Sequence, residues 1–406
     1  MPKSLLFLAL ILAAVNAFAQ FDFSRIVREG EPLPGGPDNL VMTNTRSDNP
    51  AIGDGNKLAF SASTSGETGL FTLIDGTINA IVFASEPLPG GNGDLSTGIN
   101  NPVISGGFVS FESPGAGIFL AASDGSSPLI TIADIDTLVV DENGDPLGGG
   151  ETFERFFDHG RSAELTVFKA ERPGGNDGLY VDDGGSLFLV LEEGGPSPLG
   201  APALIISITA PHARQGSFTA RVADDSGNSG IVGDFGAGLE VLVDQNIASP
   251  SGLGNFIGFD ESSIDGDFVV FQGRAATGWG TYLLDRSTGT LTTIADSTVP
   301  APGYPTDFTF AGNPSISGNS IFFEGGDLTT GLFLWTEGVV RAILLPGDLF
   351  DGKIVSGDGQ RVSYALEDGR FAFRARFDDG DSGYYVGALD PLIFSDRFEE
   401  EGARSQ

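Results

Sequence analysis

Residues 314–324 read Pro314-Ser-Ile-Ser-Gly-Asn-Ser-Ile-Phe-Phe-Glu324, and they begin the clearest copy of a repeated unit. The copy continues with Gly331-Leu-Phe-Leu-Trp335 and Val339-Val-Arg-Ala-Ile-Leu-Leu345, and it ends in a Pro-Gly turn. Apolar residues recur at period two, and Gly, Asn and Pro separate the segments. Such a pattern is typical of short β-strands joined by tight turns.

The unit occurs seven times, and a Gly followed by aliphatic or aromatic residues marks each copy. The markers are Gly69, Gly117, Gly178, Gly230, Gly280, Gly331 and Gly383. They lie about fifty residues apart, except that 61 residues separate Gly117 from Gly178, which indicates one insertion. We predict four strands in each unit. In the fifth unit they are roughly Ser262–Ile264, Asp267–Gln272, Gly280–Asp285 and Leu291–Ala295.

Seven units of four strands predict an all-β fold, a seven-bladed β-propeller in which twisted sheets pack face to face around a central channel. A β-solenoid is the alternative, but its repeats are usually shorter and it needs no closing segment. Outside the N-terminal nineteen residues, no window of helical length has an apolar stripe with helical spacing. We therefore expect helix to be nearly absent.

A segment ahead of the first unit predicts how the ring closes. The first unit ends in Ile81-Val-Phe-Ala-Ser-Glu-Pro-Leu-Pro-Gly-Gly91, and a close match to it stands upstream at Ile26-Val-Arg-Glu-Gly-Glu-Pro-Leu-Pro-Gly-Gly36. The last unit lacks such a strand, because the repeat stops after Gly383-Tyr-Tyr-Val386. We expect residues 23–36 to complete the seventh blade and to cover its exposed edge. The alternative is a stray extra strand on an open array.

A Phe occupies the matching place in six of the predicted second strands. These residues are Phe60, Phe111, Phe168, Phe271, Phe323 and Phe373. Aromatic residues at one repeat position are most simply the core between blades, where each contributes about 1.5–3 kcal/mol on burial. The fourth unit has Phe218-Thr-Ala-Arg-Val222 instead, and we expect its blade to be the weakest. The Pro-Leu-Pro-Gly-Gly segments at Pro32 and Pro87 are interpreted as rigid exits from outer strands.

Both ends of the chain differ from the repeat. The first nineteen residues combine a lone Lys, a short apolar run and Ala17-Phe18-Ala19, which is the pattern of a secretory signal cleaved before Gln20. A membrane anchor is the alternative, but the run is shorter than the roughly 18 residues of a spanning helix, and no later segment is long enough. We assign residues 1–19 to a signal peptide, 20–390 to the propeller and 391–406 to a C-terminal tail.

The charge of the chain excludes several kinds of partner. The sequence has 55 Asp and Glu against 21 Lys and Arg, a net charge of −34. Such a surface repels nucleic-acid phosphates and anionic lipid, so we expect neither as a partner. The simplest explanation of the acidity is solubility, including in a salty medium. The chain has no Cys, so a secreted form must be stabilised by a packed core rather than by disulfides.

The repeat also supports a family resemblance. Its Pro-x-Ile-Ser-Gly-x-x-Val-x-Phe strand pair, Gly-Leu-Phe strand and Pro-x-Pro-Gly exit resemble those of uncharacterised secreted bacterial β-propeller proteins, over roughly residues 23–388. The resemblance implies a fold and a secreted setting, and it implies no activity or site residues. Farther on, Ile393-Phe-Ser-Asp-Arg-Phe-Glu399 resembles the Phe-x-Asp-Gly-Phe-Glu tails of secreted bacterial proteins, with Arg397 in place of the Gly. A solvated acidic tail is the alternative.

The chain is poor in residues that commonly carry catalysis at neutral pH. It has no Cys and two His, His159 and His212, which lie in different repeats and which we expect to be hydrogen-bonded at blade edges. No nucleophile elbow, zinc-protease motif or phosphate loop occurs. Carboxylates are plentiful, so a glycosidase with paired carboxylates stays an alternative. We assign no catalytic and no cofactor-binding residue.

One cluster is a candidate metal site, within the insertion. Asp141, Asn143 and Asp145 alternate as oxygen ligands do at the start of a calcium loop. The match is incomplete, because Pro146 stands where the sharp-turn Gly belongs and Glu151 falls one place short of the bidentate position. A solvated Asp and Asn turn is the alternative. Calcium is the one cofactor that we consider.

These observations predict a secreted, monomeric propeller that acts as a non-catalytic binding or surface-interaction module. Its expected partner is an extracellular protein or glycan, and its location is the periplasm, the outer surface or the medium. The alternative function is a carbohydrate-active hydrolase or lyase that uses carboxylates on the propeller face. Carboxylates clustered at the channel mouth with shifted pKa values would favour the enzyme, whereas an exposed apolar patch would favour partner binding.

Overall fold

The computed structural model describes residues 21–34, 41–45, 50–53, 55, 57–64, 67–90, 93–95, 98–357 and 366–389. These residues form strands, turns and bends and no helix. No membrane-spanning helix is therefore found in these ranges. The predicted signal peptide and C-terminal tail lie outside the described residues.

The strands follow the predicted groups of four along the chain. The first fourteen are β1 (Phe21–Arg28), β2 (Met42–Thr45), β3 (Ala51–Gly53), β4 (Lys57–Thr64), β5 (Thr68–Ile74), β6 (Thr77–Phe83), β7 (Asn100–Ser105), β8 (Phe108–Ser113), β9 (Gly117–Ala122), β10 (Ile130–Asp134), β11 (Arg155–Arg161), β12 (Thr166–Arg172), β13 (Asn176–Asp182) and β14 (Leu187–Glu192). The others are β15 (Ile205–Arg214), β16 (Ser217–Asp224), β17 (Ser229–Asp234), β18 (Leu239–Asp244), β19 (Gly258–Asp265), β20 (Phe268–Ala275), β21 (Gly278–Asp285), β22 (Thr290–Ala295), β23 (Phe310–Ser317), β24 (Ser320–Gly326), β25 (Thr330–Thr336), β26 (Val339–Leu344), β27 (Leu349–Phe350), β28 (Lys353–Ile354), β29 (Leu366–Glu367), β30 (Arg370–Arg376) and β31 (Ser382–Leu389).

Seven antiparallel sheets are the blades of the propeller, and the fold class predicted from the repeat is confirmed. Blade 1 contains β2 to β6, and blades 2 to 6 contain β7–β10, β11–β14, β15–β18, β19–β22 and β23–β26. Blade 7 has the order β1-β31-β30-β29. The short strands β27 and β28 form a hairpin between blades 6 and 7. In blade 1 the inner position is shared, because β2 and β3 both pair with β4.

The first strand of each blade lies at the centre of the ring. Contacts between these inner strands run in one cycle, from β3 through β7, β11, β15, β19 and β23 to β29 and back to β3. The pairing between inner and second strands shifts register twice in blade 4 and once in blades 2, 3, 5 and 6, as at Phe259 and Ser262 in blade 5. This bulge explains why the alternation predicted only the later part of β19, which begins four residues earlier, at Gly258.

The N-terminal strand closes the ring as predicted. β1 pairs antiparallel with β31, from Phe21 opposite Leu389 to Arg28 opposite Gly383. It is the outer strand of blade 7, and it covers the edge that β31 would otherwise expose. In the segment after it, Pro32 forms an isolated bridge with Val41. The same bridge recurs after other outer strands, for example between Pro87 and Asp94.

Aromatic pairs occupy the core of six blades, stacked in five of them and tilted in blade 2. Each aligned Phe of a second strand lies opposite an aromatic residue of the third strand, with ring centroids 5.6 to 5.8 Å apart. Phe271, for example, pairs with Tyr282 and packs with Ile231 and Val243 of the preceding blade. The six Phe are fully buried. The predicted core between blades is confirmed.

In four repeats, the marker Gly makes room for the aromatic side chain two residues later. A Cβ on Gly178 would approach the ring of Tyr180 to 2.6 Å, and a Cβ on Gly69 would approach that of Phe71 to 2.8 Å. Both distances are shorter than van der Waals contact allows. This close approach explains the spacing from Gly to an aromatic residue that marks most units in the sequence.

Blade 4 lacks the stacked pair. Its paired positions are Ala220 on β16 and Val232 on β17, and both side chains are fully buried. Smaller side chains remove less apolar surface from water than two aromatic rings do. The prediction that blade 4 is the weakest stays a prediction, now with this substitution as its physical basis.

Candidate functional site at the channel mouth

Every inner strand ends at one equivalent position, where its last residue pairs with the first residue of the second strand. We call these seven residues the mouth ring, because they surround one end of the central channel. In blade order they are Gly53, Ser105, Arg161, Arg214, Asp265, Ser317 and Glu367. The ring therefore places two arginines on adjacent blades, 3 and 4, and two carboxylates on blades 5 and 7.

A cavity of about 240 Å³ opens at this end of the channel. Its lining comes from the inner strands of six blades and from the turns that follow two of them. It includes the mouth-ring residues Gly53, Ser105, Arg161, Arg214 and Glu367. Residues more than 300 positions apart in the chain thus meet in one cavity, because the ring closes.

Arg214 reaches across the mouth from blade 4 to blade 7. Its Nη2 atom lies 2.5 Å from Glu367 Oε2, and its Nε atom lies 3.3 Å from Asp265 Oδ1. Nη1 also donates to the Ile316 carbonyl at 3.3 Å. Burial raises the pKa of Glu367, although the charge of Arg214 acts to lower it. The two ring carboxylates are thereby held on one guanidinium.

Arg161 has a different environment from Arg214. It is 9% exposed, and its Nη1 and Nη2 atoms donate to Thr166 Oγ1 at 2.6 Å and to the Ala163 carbonyl at 3.1 Å. Its buried Nε atom has no hydrogen-bond partner among the described residues. Burial lowers its pKa, and the opposing charge of Asp182 acts from beyond ion-pair distance. Arg161 is therefore a buried cation that only neutral acceptors contact in the described part of the chain.

The two histidines lie on inner strands, each two residues before a ring arginine. His159 Nε2 is 2.9 Å from Ser110 Oγ, and His212 Nδ1 accepts from the Ile264 backbone nitrogen at 3.3 Å. Burial, with the charge of the neighbouring arginine, lowers the pKa of each to about 3. Both rings are therefore neutral at pH 7. They are hydrogen-bonded at the inner edges of their blades, as the sequence led us to expect.

The candidate calcium residues lie in a small hairpin of the insertion, away from the channel. Asp141 Oδ1 accepts from the backbone nitrogens of Asn143 at 2.8 Å and Asp145 at 3.0 Å, and these bonds lower the pKa of Asp141. Leu189 of blade 3 donates to the Asp141 carbonyl at 3.1 Å, which anchors the loop on the outer strand. No group of three or more His, Asp and Glu placed to hold a metal ion occurs in the described ranges. The calcium site stays a prediction.

Sequence reasoning missed the mouth ring. Its members are isolated charges and small residues in separate repeats, and no local motif joins them. A signal was nevertheless present. Each ring residue precedes the aligned core position of its second strand by six or seven residues, as Arg161 precedes Phe168 and Glu367 precedes Phe373. A comparison of this one position across all seven aligned repeats would have identified the residues of the mouth ring.

A scan against models of known families finds no match for this chain, and a search of curated protein sequences finds none. Solved structures do match. The β-propeller domain of the Trilobed protease from Pyrococcus furiosus is 10% identical, with a TM-score of 0.51 over 86% of this chain and 95% of that one. An oligogalacturonate lyase in complex with manganese is 11% identical, with a TM-score of 0.51 over 92% and 99% of the two chains. At such identities the likeness shows the β-propeller fold alone.

Proposed function

We propose that this protein is a secreted, non-catalytic binding propeller whose ligand enters the cavity at the channel mouth. The observation that carries the proposal is the cavity itself, which collects polar and charged side chains from separate blades. Ligand sites are typically concave and have a few convergent polar groups. A volume of about 240 Å³ is a little below the roughly 300–1,000 Å³ of sites for drug-sized ligands. It suits a small molecule, or the terminal unit of a glycan.

The ionisable groups at the mouth favour binding over catalysis. A general acid or base needs a pKa near the working pH and a group that is free to exchange its proton. His159 and His212 have pKa values of about 3, and Glu367 and Asp265 are engaged by Arg214. Polar groups that hydrogen bonds and ion pairs hold in place are well suited to orient a ligand.

The binding function is tested with the secreted form, residues 20–406, screened against glycans and small metabolites by thermal shift and calorimetry. Ser105→Phe fills the mouth, and Ser126→Phe, at an exposed turn of the same blade, is the matched control. We expect hits that Ser105→Phe abolishes and Ser126→Phe retains. If no compound binds, or if Ser105→Phe leaves every hit unchanged, the mouth is not the binding site.

A second candidate is a carbohydrate-active hydrolase or lyase. It is favoured by Glu367, a carboxyl in the cavity whose pKa is raised by burial. Incubation with polysaccharides and measurement of released reducing ends or unsaturated products tests it. Turnover that Glu367→Gln removes would replace the binding proposal with an enzyme, and the absence of turnover on every substrate that binds would retain it.

Secretion and a monomeric state belong to the same proposal. The pattern of residues 1–19 supports export and cleavage before Gln20. Expression of the full chain, followed by sequencing of the N-terminus recovered from the periplasm and medium, tests this step. A product that retains Met1 and stays inside the cell contradicts it. Light scattering on the same product measures the oligomeric state.

A further inference from the structure

The two ring arginines form an internal comparison. Arg161 and Arg214 end the inner strands of neighbouring blades, and each follows a buried His by two residues. Arg214 has carboxylate partners on blades 5 and 7. Arg161 has Ser105 on one side of it in the ring and Arg214 on the other, and no described carboxylate pairs with it. Among the described residues, Arg214 therefore has carboxylates at ion-pair distance, whereas Arg161 has only the more distant charge of Asp182.

A buried guanidinium without a carboxylate at ion-pair distance is costly. Arginine keeps its proton in proteins, so Arg161 cannot become neutral to escape desolvation as a lysine does. Hydrogen bonds from neutral oxygens offset only part of the cost of burying a charge. The excess of 34 negative charges over the chain supplies a favourable long-range field, but it supplies no partner inside the cavity. A ligand in the cavity that Arg161 lines could supply such a partner.

We propose that the cavity binds a small organic carboxylate, whose negative charge balances the positive charge of Arg161. The proposal rests on the proposed binding function and names the ligand class for the same cavity. A guanidinium matches the planar geometry of a carboxylate. The Nη1 and Nη2 atoms of Arg161 each donate one hydrogen bond to a neutral oxygen, and each carries a second hydrogen that a ligand could accept. Ser105, the neighbour of Arg161 in the mouth ring, is small and lines the same cavity.

The surroundings select a singly charged and compact anion. Glu367 lines the same cavity. Arg214 is already paired with Glu367 and Asp265, so it is not free to pair with a second negative charge on the ligand. The net charge of −34 also disfavours polyanions and the phosphate dianion. The lining includes the aliphatic residues Val103, Ile104 and Leu366, which suit a short apolar body attached to the carboxylate.

Calorimetry of residues 20–406 with sodium butyrate tests the proposal. Two comparison ligands are titrated in the same way. Butyramide has nearly the same shape as butyrate and no charge, and inorganic phosphate is a different anion. Arg161→Gln removes the cation, and Arg155→Gln makes the same substitution six residues earlier on β11, where the side chain is 63% exposed. We expect butyrate to bind in the millimolar range or tighter, and to lose roughly tenfold or more affinity in Arg161→Gln alone. Arg161→Gln should melt no lower than wild type, because it removes an unpaired buried charge.

Several outcomes would overturn the carboxylate proposal. They are equal binding of butyramide, tighter binding of phosphate, unchanged butyrate affinity in Arg161→Gln, and no butyrate binding at tens of millimolar. The binding function can survive each of them, because it depends on hits from the wider screen that Ser105→Phe removes. A neutral hit removed by Ser105→Phe and retained by Arg161→Gln would refute the ligand class and leave the site standing.

Discussion

The Arg25 guanidinium donates to both carboxylate oxygens of Asp351, at 2.8 and 3.0 Å. Arg25 lies on the closing strand β1, whereas Asp351 lies at the tip of the β27–β28 hairpin, 326 residues later. Arg28 and Tyr385 also donate to Asp351, at 3.2 and 2.9 Å. The hairpin therefore fastens the N-terminal strand to blade 7 through a side-chain network, in addition to the main-chain pairing of β1 with β31.

Asp351→Asn should weaken this closure. Partial burial acts to raise the pKa of Asp351, but the hydrogen bonds from Arg25 and Tyr385 outweigh it, and the pKa lies below its ordinary 3.8. A carboxyl with a lowered folded pKa stabilises above its unfolded pKa, and the stabilisation is lost as the pH falls through the folded value. Because the pair is partly exposed, we expect a loss of about 1–2 kcal/mol at pH 7. Urea unfolding at pH 7 and below pH 3.8 measures it.

The matched control is Asp75→Asn. Asp75 sits in a turn with φ of 49°, the same value as Asp351, and it is exposed. Asn tolerates this left-handed conformation as well as Asp does, so neither substitution strains the backbone. Equal unfolding midpoints for the two variants would show that the Asp351 network contributes nothing to closure.

Removal of β1 should have a larger effect. A chain that lacks residues 1–34 exposes the edge of β31 and the apolar surface that Phe23 and Val27 cover in the core of blade 7. We expect the free energy of unfolding to fall by several kcal/mol, or the product to aggregate through the open edge. Thermal melting and size-exclusion chromatography compare it with a chain that starts at Gln20. An unchanged melting temperature would refute closure by β1.

Phe271→Ala should destabilise the protein by about 3–5 kcal/mol, because it leaves a cavity where a buried ring stood. Phe271 is fully buried and contacts the rings of Phe256, Phe259 and Tyr282. The control is Phe157→Ala, whose ring is half-buried beneath Arg155. Guanidinium unfolding of both variants measures the difference. Similar midpoints for the two would mean that the stacked pairs are not the main support of the blades.

Calcium is predicted to order the Asp141 loop weakly. Asp141 Oδ1 already accepts two backbone hydrogen bonds, so a metal would use the other carboxylate oxygens and the Asn143 amide oxygen. We expect millimolar affinity and a small rise in melting temperature on addition of calcium to the metal-free protein. The double variant Asp141→Ala with Asp145→Ala should lose both. Equal responses of the two proteins would place calcium elsewhere on the acidic surface.

The sequence was informative wherever structure repeats. Period-two alternation and the Gly markers depend on contacts that every blade makes, such as Phe168 against Tyr180, so seven copies reinforce one signal. The matched segment at Ile26 predicted closure for the same reason. The mouth ring was not found because its chemistry breaks the repeat: at one position the chain places Ser105, Arg161 and Glu367, and only ring closure brings them together.

The two histidines should make the protein sensitive to acid. Burial lowers the pKa of His159 and His212 from 6.5 to about 3. Between those values the unfolded chain binds protons that the folded chain does not. Stability therefore falls as the pH drops below 6.5, by about 1.4 kcal/mol per pH unit for each histidine, and the fall ends near the folded pKa.

His212→Gln tests this prediction and separates it from the carboxylates. Burial raises the pKa of Glu367, Asp182 and Asp260, and these groups act in the opposite direction, because the folded chain retains their protons to higher pH. They are common to both proteins and cancel in the difference. Urea unfolding of wild type and His212→Gln is measured at pH 7, 6, 5 and 4.5. The free energy of unfolding of the variant, relative to that of wild type, should rise by about 1.4 kcal/mol for each pH unit below 6.5. A difference that stays constant over this range would contradict the prediction, because the folded chain would then bind a proton at His212 as readily as the unfolded chain does.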